Sequence, residues 1–427
     1  MDVQIYLTEH LNVPGIRGLK VWEQHGGYQA IRKCLKEYTP EQTVEVVKAA
    51  KLRGRGGAGF DAGRKWSHID RRKTPRHLVC NADEGEPGTF KDQIIMRNMP
   101  HMLLEGLMCG GYALGATKGF IYIRGEYFHI ANILDEAIEE CRAVGYLGKG
   151  IFGSNWDYDI DVHRGAGAYI CGEGSAILDS LQGMRGLPRC KPPHMASVGL
   201  YYNPSITNNV ETLSNVPHII NRGPEWFTSI GPKDSHGNWL MGVSGGVQTP
   251  GVYELPLGTP LKDIIYKYGG GPLPGTKVKA IIPGGISAPM LTAQEAESVT
   301  MDYASVPAAG SDLGTCGVIV IPDNVCIVKV VRRAAYFYME ESCGQCTPCR
   351  IGNVKLLEGV EMIENSNYTF SYINNLNELG RSMQVASKCG LGQSSPNSFI
   401  SILENFKEEI FSHSNEYSNG GGGNNGK

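Results

Sequence analysis

The sequence predicts a layered α/β domain, a smaller β-rich domain and a helical C-terminal region. Strand-like and helix-like segments alternate up to about residue 225, which is typical of an α/β domain. Short β-rich pieces punctuated by Gly and Pro fill residues 238–328, and helical periodicity returns from residue 327. With 427 residues, of which 41% are apolar, the chain is long enough for separate domains with ordinary cores. We therefore place the domains at 1–235, 236–328 and 329–415, followed by a tail at 416–427.

Composition and charge exclude several classes of protein. The net charge is −3 and charges of both signs are mixed along the chain, so nothing favours a nucleic-acid partner. The N-terminus lacks the basic start and apolar core of a signal peptide, and the apolar run at 318–331 is interrupted by polar residues and a proline. Residues 418–427 are nearly all Gly, Asn and Ser, so the tail is predicted to be disordered. We expect a cytoplasmic protein without direct membrane insertion.

Capping and periodicity give the elements of the first domain in order. Thr39 followed by Pro40 opens a helix that reaches about residue 52. Strands are then predicted at 77–80, 119–124 and 158–163, separated by helices at 99–114 and 130–144, and a last helix ends at residue 181. Ligands of open α/β sheets bind at the carboxyl ends of the strands, so the segments after these strands are the candidate sites.

A glycine-rich loop at residues 54–59 follows the first helix. It fits G-x-G-x-x-G in form, but that dinucleotide fingerprint follows a strand, and here a helix precedes it. The glycines still let backbone amides approach a phosphate or a flat ring, and Arg55 and Lys65 supply positive charge. A mobile loop without a ligand is the alternative. The glycines are Gly54, Gly56, Gly57 and Gly59.

An acidic turn stands at the end of the first predicted strand. Asn81 is followed by Asp83, Glu84 and Glu86. Carboxylates this close repel one another unless hydrogen-bond donors or a ligand offset their charge. Carboxylates that satisfy the amides of a helix start are the alternative.

A second glycine-rich segment, residues 165–174, also runs from a strand into a helix and contains Tyr169, Gly172 and Glu173. Asn208 and Asn209 add amide groups, although Asn-Asn is also ordinary turn chemistry. Two glycine loops and an acidic turn can enclose a flat, phosphate-bearing cofactor.

The cysteines are the most specific signal. Twelve cysteines in a chain without an export signal are expected to be metal ligands or buried thiols rather than disulfides. Cys343, Cys346 and Cys349 stand at three-residue intervals and Cys389 follows later, a pattern that predicts a [4Fe-4S] cluster. A structural zinc site is the alternative, but it usually shows two separated C-x-x-C pairs. The other cysteines are interpreted as small buried apolar residues.

At this point the chain resembles the NADH-binding flavoprotein component of respiratory complex I, the F component of NADH:quinone oxidoreductase, and its relatives in soluble hydrogenases and formate dehydrogenases. The motifs that carry the resemblance stand in family order, and it covers about residues 20–410. They lie at residues 54–60, 81–92, 165–173, 208–212 and 341–350.

The resemblance implies an atypical Rossmann-like FMN-binding α/β domain, a ubiquitin-like β-grasp (SLBB-type) domain, and a C-terminal four-helix bundle that holds the cluster. It implies that NADH gives a hydride to FMN and that the electrons leave singly through the [4Fe-4S] cluster. Glu84 and Glu86 are assigned to the catalytic centre. Carried over by position, the FMN-binding residues are Gly54, Arg55, Gly57, Lys65, Asn81, Asp83, Glu84, Gly172, Glu173, Asn208 and Asn209. Gly56, Gly59 and Tyr169 stand in the same motifs and are also assigned to cofactor binding. Phe60, Glu86 and Lys191 are assigned to the nucleotide site.

The implied partners are a thioredoxin-like 2Fe-2S subunit and a large iron-sulfur subunit of a complex that delivers electrons to quinone, peripheral to the inner membrane. The alternative is an electron-relay subunit of a hydrogenase, formate dehydrogenase or related complex. A non-redox scaffold with structural zinc is a third hypothesis.

Three positions depart from the family pattern. His68 and His194 stand where the family usually has aromatic residues beside the adenine, and Gly174 replaces a second glutamate that resembles a contact to the adenosine ribose. Loss of that carboxylate removes repulsion against a 2′-phosphate, so NADPH is tolerated in one interpretation. In the other, nucleotide binding is lost and another protein reduces the flavin.

Overall fold

The computed structural model describes residues 4–413, so the predicted disorder of the tail lies outside the described residues. The strands are β1 His77–Ala82, β2 Lys118–Ile123, β3 Asp159–Arg164, β4 Ser205–Asn209, β5 Asn238–Gly245, β6 Gly251–Pro256, β7 Val278–Ile282, β8 Leu291–Thr292 and β9 Gly317–Pro322. The helices are α1 Leu19–Gln24, α2 Gln29–Glu37, α3 Pro40–Ala49, α4 Ala62–Ser67, α5 Asp92–Asn98, α6 Pro100–Leu114, α7 Phe128–Ala143, α8 Gly174–Leu181, α9 Val210–Arg222, α10 Pro224–Thr228, α11 Leu261–Asp263, α12 Ala293–Ala296, α13 Ser305–Ala308, α14 Ile327–Glu341, α15 Thr347–Glu364, α16 Phe370–Ala386, α17 Gly390–Ser394, α18 Asn397–Asn405 and α19 Lys407–Ser412.

The first part of the chain forms a parallel four-stranded sheet in the order β3-β2-β1-β4. Parallel neighbours require crossover connections, and α5 and α6 supply the one between β1 and β2. Thr39 caps α3 in a capping box with Gln42, which confirms that a helix rather than a strand precedes the glycine loop. Asn81 pairs with Asn209 where β1 and β4 end. The acidic turn and the Asn pair therefore meet at the carboxyl edge of the sheet.

The second sheet is mixed and has the order β6-β5-β9-β7-β8. Strand β5 runs antiparallel to β6 and parallel to β9, and its side chains Trp239, Met241 and Val243 belong to a separate apolar core. These strands lie in the region where β-rich pieces were predicted. The β-grasp assignment and the domain boundaries stay predictions.

The C-terminal region is helical, as predicted. Helices α14, α15, α16 and α18 pack around one core that includes Val331, Leu356, Leu376 and Ile402. The short α17 begins directly after Cys389 and lies against α15 and α16. Within residues 4–413, every helix is too short or too polar to span a lipid bilayer.

Candidate functional site

A cavity of about 560 Å³ opens at the carboxyl ends of β1 and β4, where the parallel sheet, the second sheet and the helical region meet. This volume lies in the range of cofactor-binding pockets. We call it the main cavity. The predicted site residues that line it are Arg55, Gly56, Gly57, Asn81, Asp83, Glu84, Glu86, Tyr169, Gly172, Glu173 and Asn209.

The glycine loop forms one wall of the main cavity by close approach. The amide of Gly54 donates to the carbonyl of Phe60 (2.9 Å), which closes the loop. A Cβ at Gly56 would lie 3.0 Å from the Cβ of Asn209, and Gly57 has a φ of +108°. Larger residues at these two positions would push the loop off the sheet edge or strain it.

Arg55 anchors this loop to the second sheet. Its side chain is fully buried, its guanidinium lies 4.6 Å from the centroid of the Trp239 ring, and Nη2 donates to the carbonyls of His236 (2.7 Å) and Asn238 (3.1 Å). The Nε and Nη1 atoms have no hydrogen-bond partner within the described residues. The sequence suggested Arg55 as positive charge for a phosphate, and the structure adds an anchoring role.

The acidic turn divides into carboxylates with different partners. Glu84 accepts from the backbone amides of Asp92 (2.7 Å) and Gln93 (3.2 Å) at the start of α5, the helix-start interaction considered as the alternative. Asp83 lines the cavity, and its buried Oδ2 has no hydrogen-bond partner among residues 4–413. Burial raises the pKa of Asp83 to about 7. An unpaired buried acceptor in a cavity wall fits a ligand that brings a donor.

Lys91 was not selected from the sequence, although it stands inside the 81–92 motif. Its side chain is 1% exposed and lines the main cavity, and Nζ lies 2.8 Å from Asp92 Oδ1 and 2.7 Å from Glu211 Oε2. Burial opposes its charge, but Asp92, Glu211 and Glu84 together raise the pKa of Lys91. The lysine is therefore a charged residue that offsets three buried carboxylates beside the cavity.

Glu86 and Tyr169 join the three parts of the molecule. The Tyr169 hydroxyl donates to Glu86 Oε2, and the amide of Ser287, after β7, donates to Glu86 Oε1 (2.8 Å). The amide of Tyr169 donates to Glu341, the last residue of α14 (2.9 Å). Burial raises the pKa of Glu86. This carboxylate is held in one orientation on the cavity wall.

Six predicted residues do not line the main cavity: Gly54, Gly59, Phe60, Lys65, Lys191 and Asn208. Asn208 accepts from the Trp66 indole (2.8 Å). Lys65 donates to the Thr207 carbonyl, and burial together with Lys191 lowers its pKa to about 8. Phe60 is 52% exposed. Their proposed roles in binding stay predictions.

The three divergent positions lie close to this lysine pair or on the surface. A Cβ at Gly174 would lie 2.9 Å from Thr207 Oγ1. The backbone carbonyl of the same threonine accepts a hydrogen bond from Lys65. Lys191 Nζ lies 3.8 Å from Glu173 Oε1, and Glu173 caps α8 by accepting from the amide of Ser175 (2.8 Å). His68 and His194 are both exposed. Glycine at 174 thus leaves one carboxylate beside two lysines.

A second, small cavity is lined by all four predicted cluster ligands, Cys343, Cys346, Cys349 and Cys389. We call it the cysteine cavity. Asn353 Nδ2 donates to Cys349 Sγ (3.2 Å), and burial raises the pKa of the Cys349 thiol to about 11. Within residues 4–413, no three His, Cys, Asp or Glu side chains are grouped tightly enough for a single metal ion. Four cysteine side chains around one cavity supply one ligand for each iron of a [4Fe-4S] cluster.

The two cavities share a wall. Ile170 and Leu391 line both of them, and Gly390, next to Cys389, lines the main cavity. Ile170 follows Tyr169 in a short 3-10 turn, and Leu391 lies in α17.

No sequence motif pointed to the part of the main cavity that the second sheet and the helical region supply. These residues include Ser287, Tyr303, Asp312, Leu313, Gly314, Thr315 and Ser394.

Comparison with protein families matches three segments of the chain. Residues 47–218 match the Nuo51 FMN-binding domain, residues 241–290 the SLBB domain, and residues 329–413 the NADH-ubiquinone oxidoreductase-F iron-sulfur binding region. The second segment falls within the second sheet, and the third coincides with the cysteine-bearing helices.

Similar proteins extend over nearly the whole chain. It is 48% identical to a NADH-quinone oxidoreductase F subunit of Rhizobium meliloti (strain 1021), over 96% of this chain and 97% of the relative. It is 44% identical to the NADH-quinone oxidoreductase F subunit of Aquifex aeolicus (strain VF5), over 94% and 93%. Among solved structures, an NAD⁺-reducing [NiFe]-hydrogenase in the H₂-reduced state matches with a TM-score of 0.85 and 31% identity, over 96% of this chain and 67% of that chain.

Proposed function

Because the chain belongs to the family of NADH-quinone oxidoreductase F subunits, we propose that it takes a hydride from NADH onto FMN in the main cavity and passes the electrons singly to a [4Fe-4S] cluster in the cysteine cavity. The observation that carries this proposal is the shared wall of Ile170 and Leu391, because the main cavity and the cysteine cavity adjoin there. FMN, when bound, accepts two electrons as hydride and releases them one at a time.

The residues of the main cavity fit FMN. The unpaired Asp83 carboxylate can accept a hydrogen bond from FMN, and the glycine loop presents backbone amides to the same cavity. Asn81 donates to the carbonyl of Gly172 (2.8 Å), which fixes the turn between the acidic residues and the second glycine segment. Glu86, held by Tyr169 and Ser287 on the cavity wall, contributes to binding of the nucleotide.

We further propose the finer assignments that the family suggests. The second sheet is a ubiquitin-like β-grasp unit, and the helical region is a four-helix bundle. The protein works beside a thioredoxin-like 2Fe-2S subunit and a large iron-sulfur subunit, at the cytoplasmic face of the inner membrane, in an assembly that reduces quinone. The similarity to the hydrogenase structure favours one second candidate, the same electron transfer within a hydrogenase-type complex.

Rapid mixing of the FMN- and cluster-loaded protein with NADH is expected to bleach the flavin absorbance. The same experiment with NADPH separates the two interpretations of Gly174, because a single carboxylate beside Lys65 and Lys191 gives little repulsion against a 2′-phosphate. Protein-free FMN with each nucleotide is the control. Absence of bleaching with both nucleotides would contradict hydride transfer at this subunit. It would favour the alternative in which another protein reduces the flavin.

Replacing Ile170 by Ala is expected to slow reduction of the cluster several-fold without changing flavin reduction. Electron tunnelling is weaker across a gap than through packed atoms, and Ile170 is 7% exposed in the wall between the two cavities. Stopped-flow absorbance measures flavin reduction, and freeze-quench EPR measures cluster reduction. Ile177→Ala in α8 is the matched control, since Ile177 is fully buried but lines neither cavity. Equal cluster rates in both variants would show that the wall is not on the path.

A further inference from the structure

Three cations surround the loops that carry the cluster ligands. Arg185 Nη2 donates to the carbonyl of Cys343 (2.7 Å), and Arg350 Nη1 donates to the carbonyl of Gly344 (2.6 Å). Lys388 precedes Cys389 and lines the cysteine cavity. They come from three places in the chain: the segment after α8, the first turn of α15 and the segment before α17. We call Arg185, Arg350 and Lys388 the cationic collar.

The collar is not neutralised by the protein. Within residues 4–413, none of the three side chains lies within 4 Å of a carboxylate, whereas Lys91, Arg142 and Lys118 each have at least one such partner. Glu341 accepts from the amide of Tyr169 and Glu173 caps α8, and neither carboxylate pairs with a collar residue. No ion pair among residues 4–413 therefore neutralises the three cations beside the cysteine loops.

A cluster held by four thiolates is anionic, and it gains one further negative charge when it is reduced. Uncompensated cations nearby stabilise the reduced form more than the oxidised form. Within the described part of the chain, Lys388 makes no side-chain hydrogen bond or ion pair that would give it a structural role, unlike Arg185 and Arg350.

We propose that the cationic collar raises the reduction potential of the [4Fe-4S] cluster, so that an electron moves from the flavin to the cluster more readily. The inference rests on the proposed function, because it needs the cluster in the cysteine cavity. Arg185 and Arg350 also position the cysteine loop, while Lys388 acts through its charge alone. None of the three is a ligand or a catalytic residue.

The test is the midpoint potential of the cluster in the full, cofactor-loaded chain, measured by EPR-monitored redox titration. We expect Lys388→Gln, Arg185→Gln and Arg350→Gln each to lower the potential, and the triple variant to lower the equilibrium constant for cluster reduction by about tenfold, which is about 59 mV for one electron. Lys388→Arg retains the charge and is expected to retain the potential. Lys36→Gln replaces an exposed lysine on α2, which does not belong to the helical region that carries the cluster cysteines, and is the control for a remote charge.

Salt gives an independent readout. Added KCl screens exposed charges, so the wild-type potential is expected to fall toward that of the triple variant, which itself changes less. If all variants assemble the cluster with the wild-type EPR signal and the wild-type potential, the collar has no tuning role and the inference is overturned. If the wild-type chain assembles no cluster, the proposed function is contradicted, and the collar proposal falls with it. If the arginine variants lose the cluster because the loop is disturbed, the midpoint potential of Lys388→Gln alone still tests the inference.

Discussion

Replacing Cys389 by serine is expected to abolish the [4Fe-4S] cluster while FMN stays bound. Cys389 is the one predicted ligand outside the 343–349 segment, and it lines the cysteine cavity directly before the start of α17. A hydroxyl is a poor substitute for a thiolate toward iron, and a cubane that loses its distant ligand loses the contact that closes the site. Iron, acid-labile sulfide and the EPR signal of the reduced cluster are expected to fall to background, whereas FMN released by heating stays near one per chain.

Cys190→Ser is the matched control for this experiment. Cys190 is exposed and lines neither cavity, so its replacement should leave iron, sulfide and FMN unchanged. Full iron and sulfide in Cys389→Ser would remove Cys389 from the ligand set. Zinc without sulfide in the wild-type protein would instead support the structural zinc alternative.

Local patterns in the sequence were sufficient for several features of the fold and the site. The cap at Thr39 predicted α3, and that helix correctly excluded a standard dinucleotide fold at the glycine loop. The strand predicted before Asn81 placed the acidic turn at the carboxyl edge of a sheet. Strand β4, whose end brings Asn209 beside Asn81, was not predicted. The spacing of the cysteines predicted that all four line one cavity.

Features that depend on packing between distant segments were not predictable. The sequence presents Arg55 as a free charge, but its guanidinium reaches the backbone of His236 and Asn238, about 180 positions away. Tyr303 and Thr315 line the main cavity without any motif around them. Glu84 and Asp83 are neighbours in one motif, yet one accepts from the start of α5 and the other has an unpaired oxygen. Only the fold separates these two roles.

Replacing Lys91 by methionine is expected to destabilise the chain by about 3–5 kcal/mol and to abolish FMN binding. Methionine fills similar space but leaves Asp92 and Glu211 buried without their cation, beside Glu84, whose pKa burial and Asp92 already raise to about 7. Asp92 also accepts from Asn209 Nδ2 on the cavity wall, so disturbance of this group reaches the residues proposed to hold FMN. Urea unfolding of the full chain measures the stability, and flavin fluorescence quenching measures FMN binding.

Lys118→Met provides the comparison with a partly exposed lysine. Lys118 also contacts two carboxylates, Asp159 at 2.8 Å and Asp161 at 2.7 Å, but its side chain is 27% exposed and those of the two aspartates are 31% and 48% exposed. Water can solvate the remaining charges, and Arg142 still lies 2.8 Å from each aspartate, so the loss is expected to stay within about 1 kcal/mol. Similar losses for both variants would mean that the Lys91 group is solvated in solution. Partial recovery in Lys91→Met combined with Glu211→Gln would confirm that the uncompensated Glu211 charge causes the instability, because the second change removes that charge while keeping the side-chain shape.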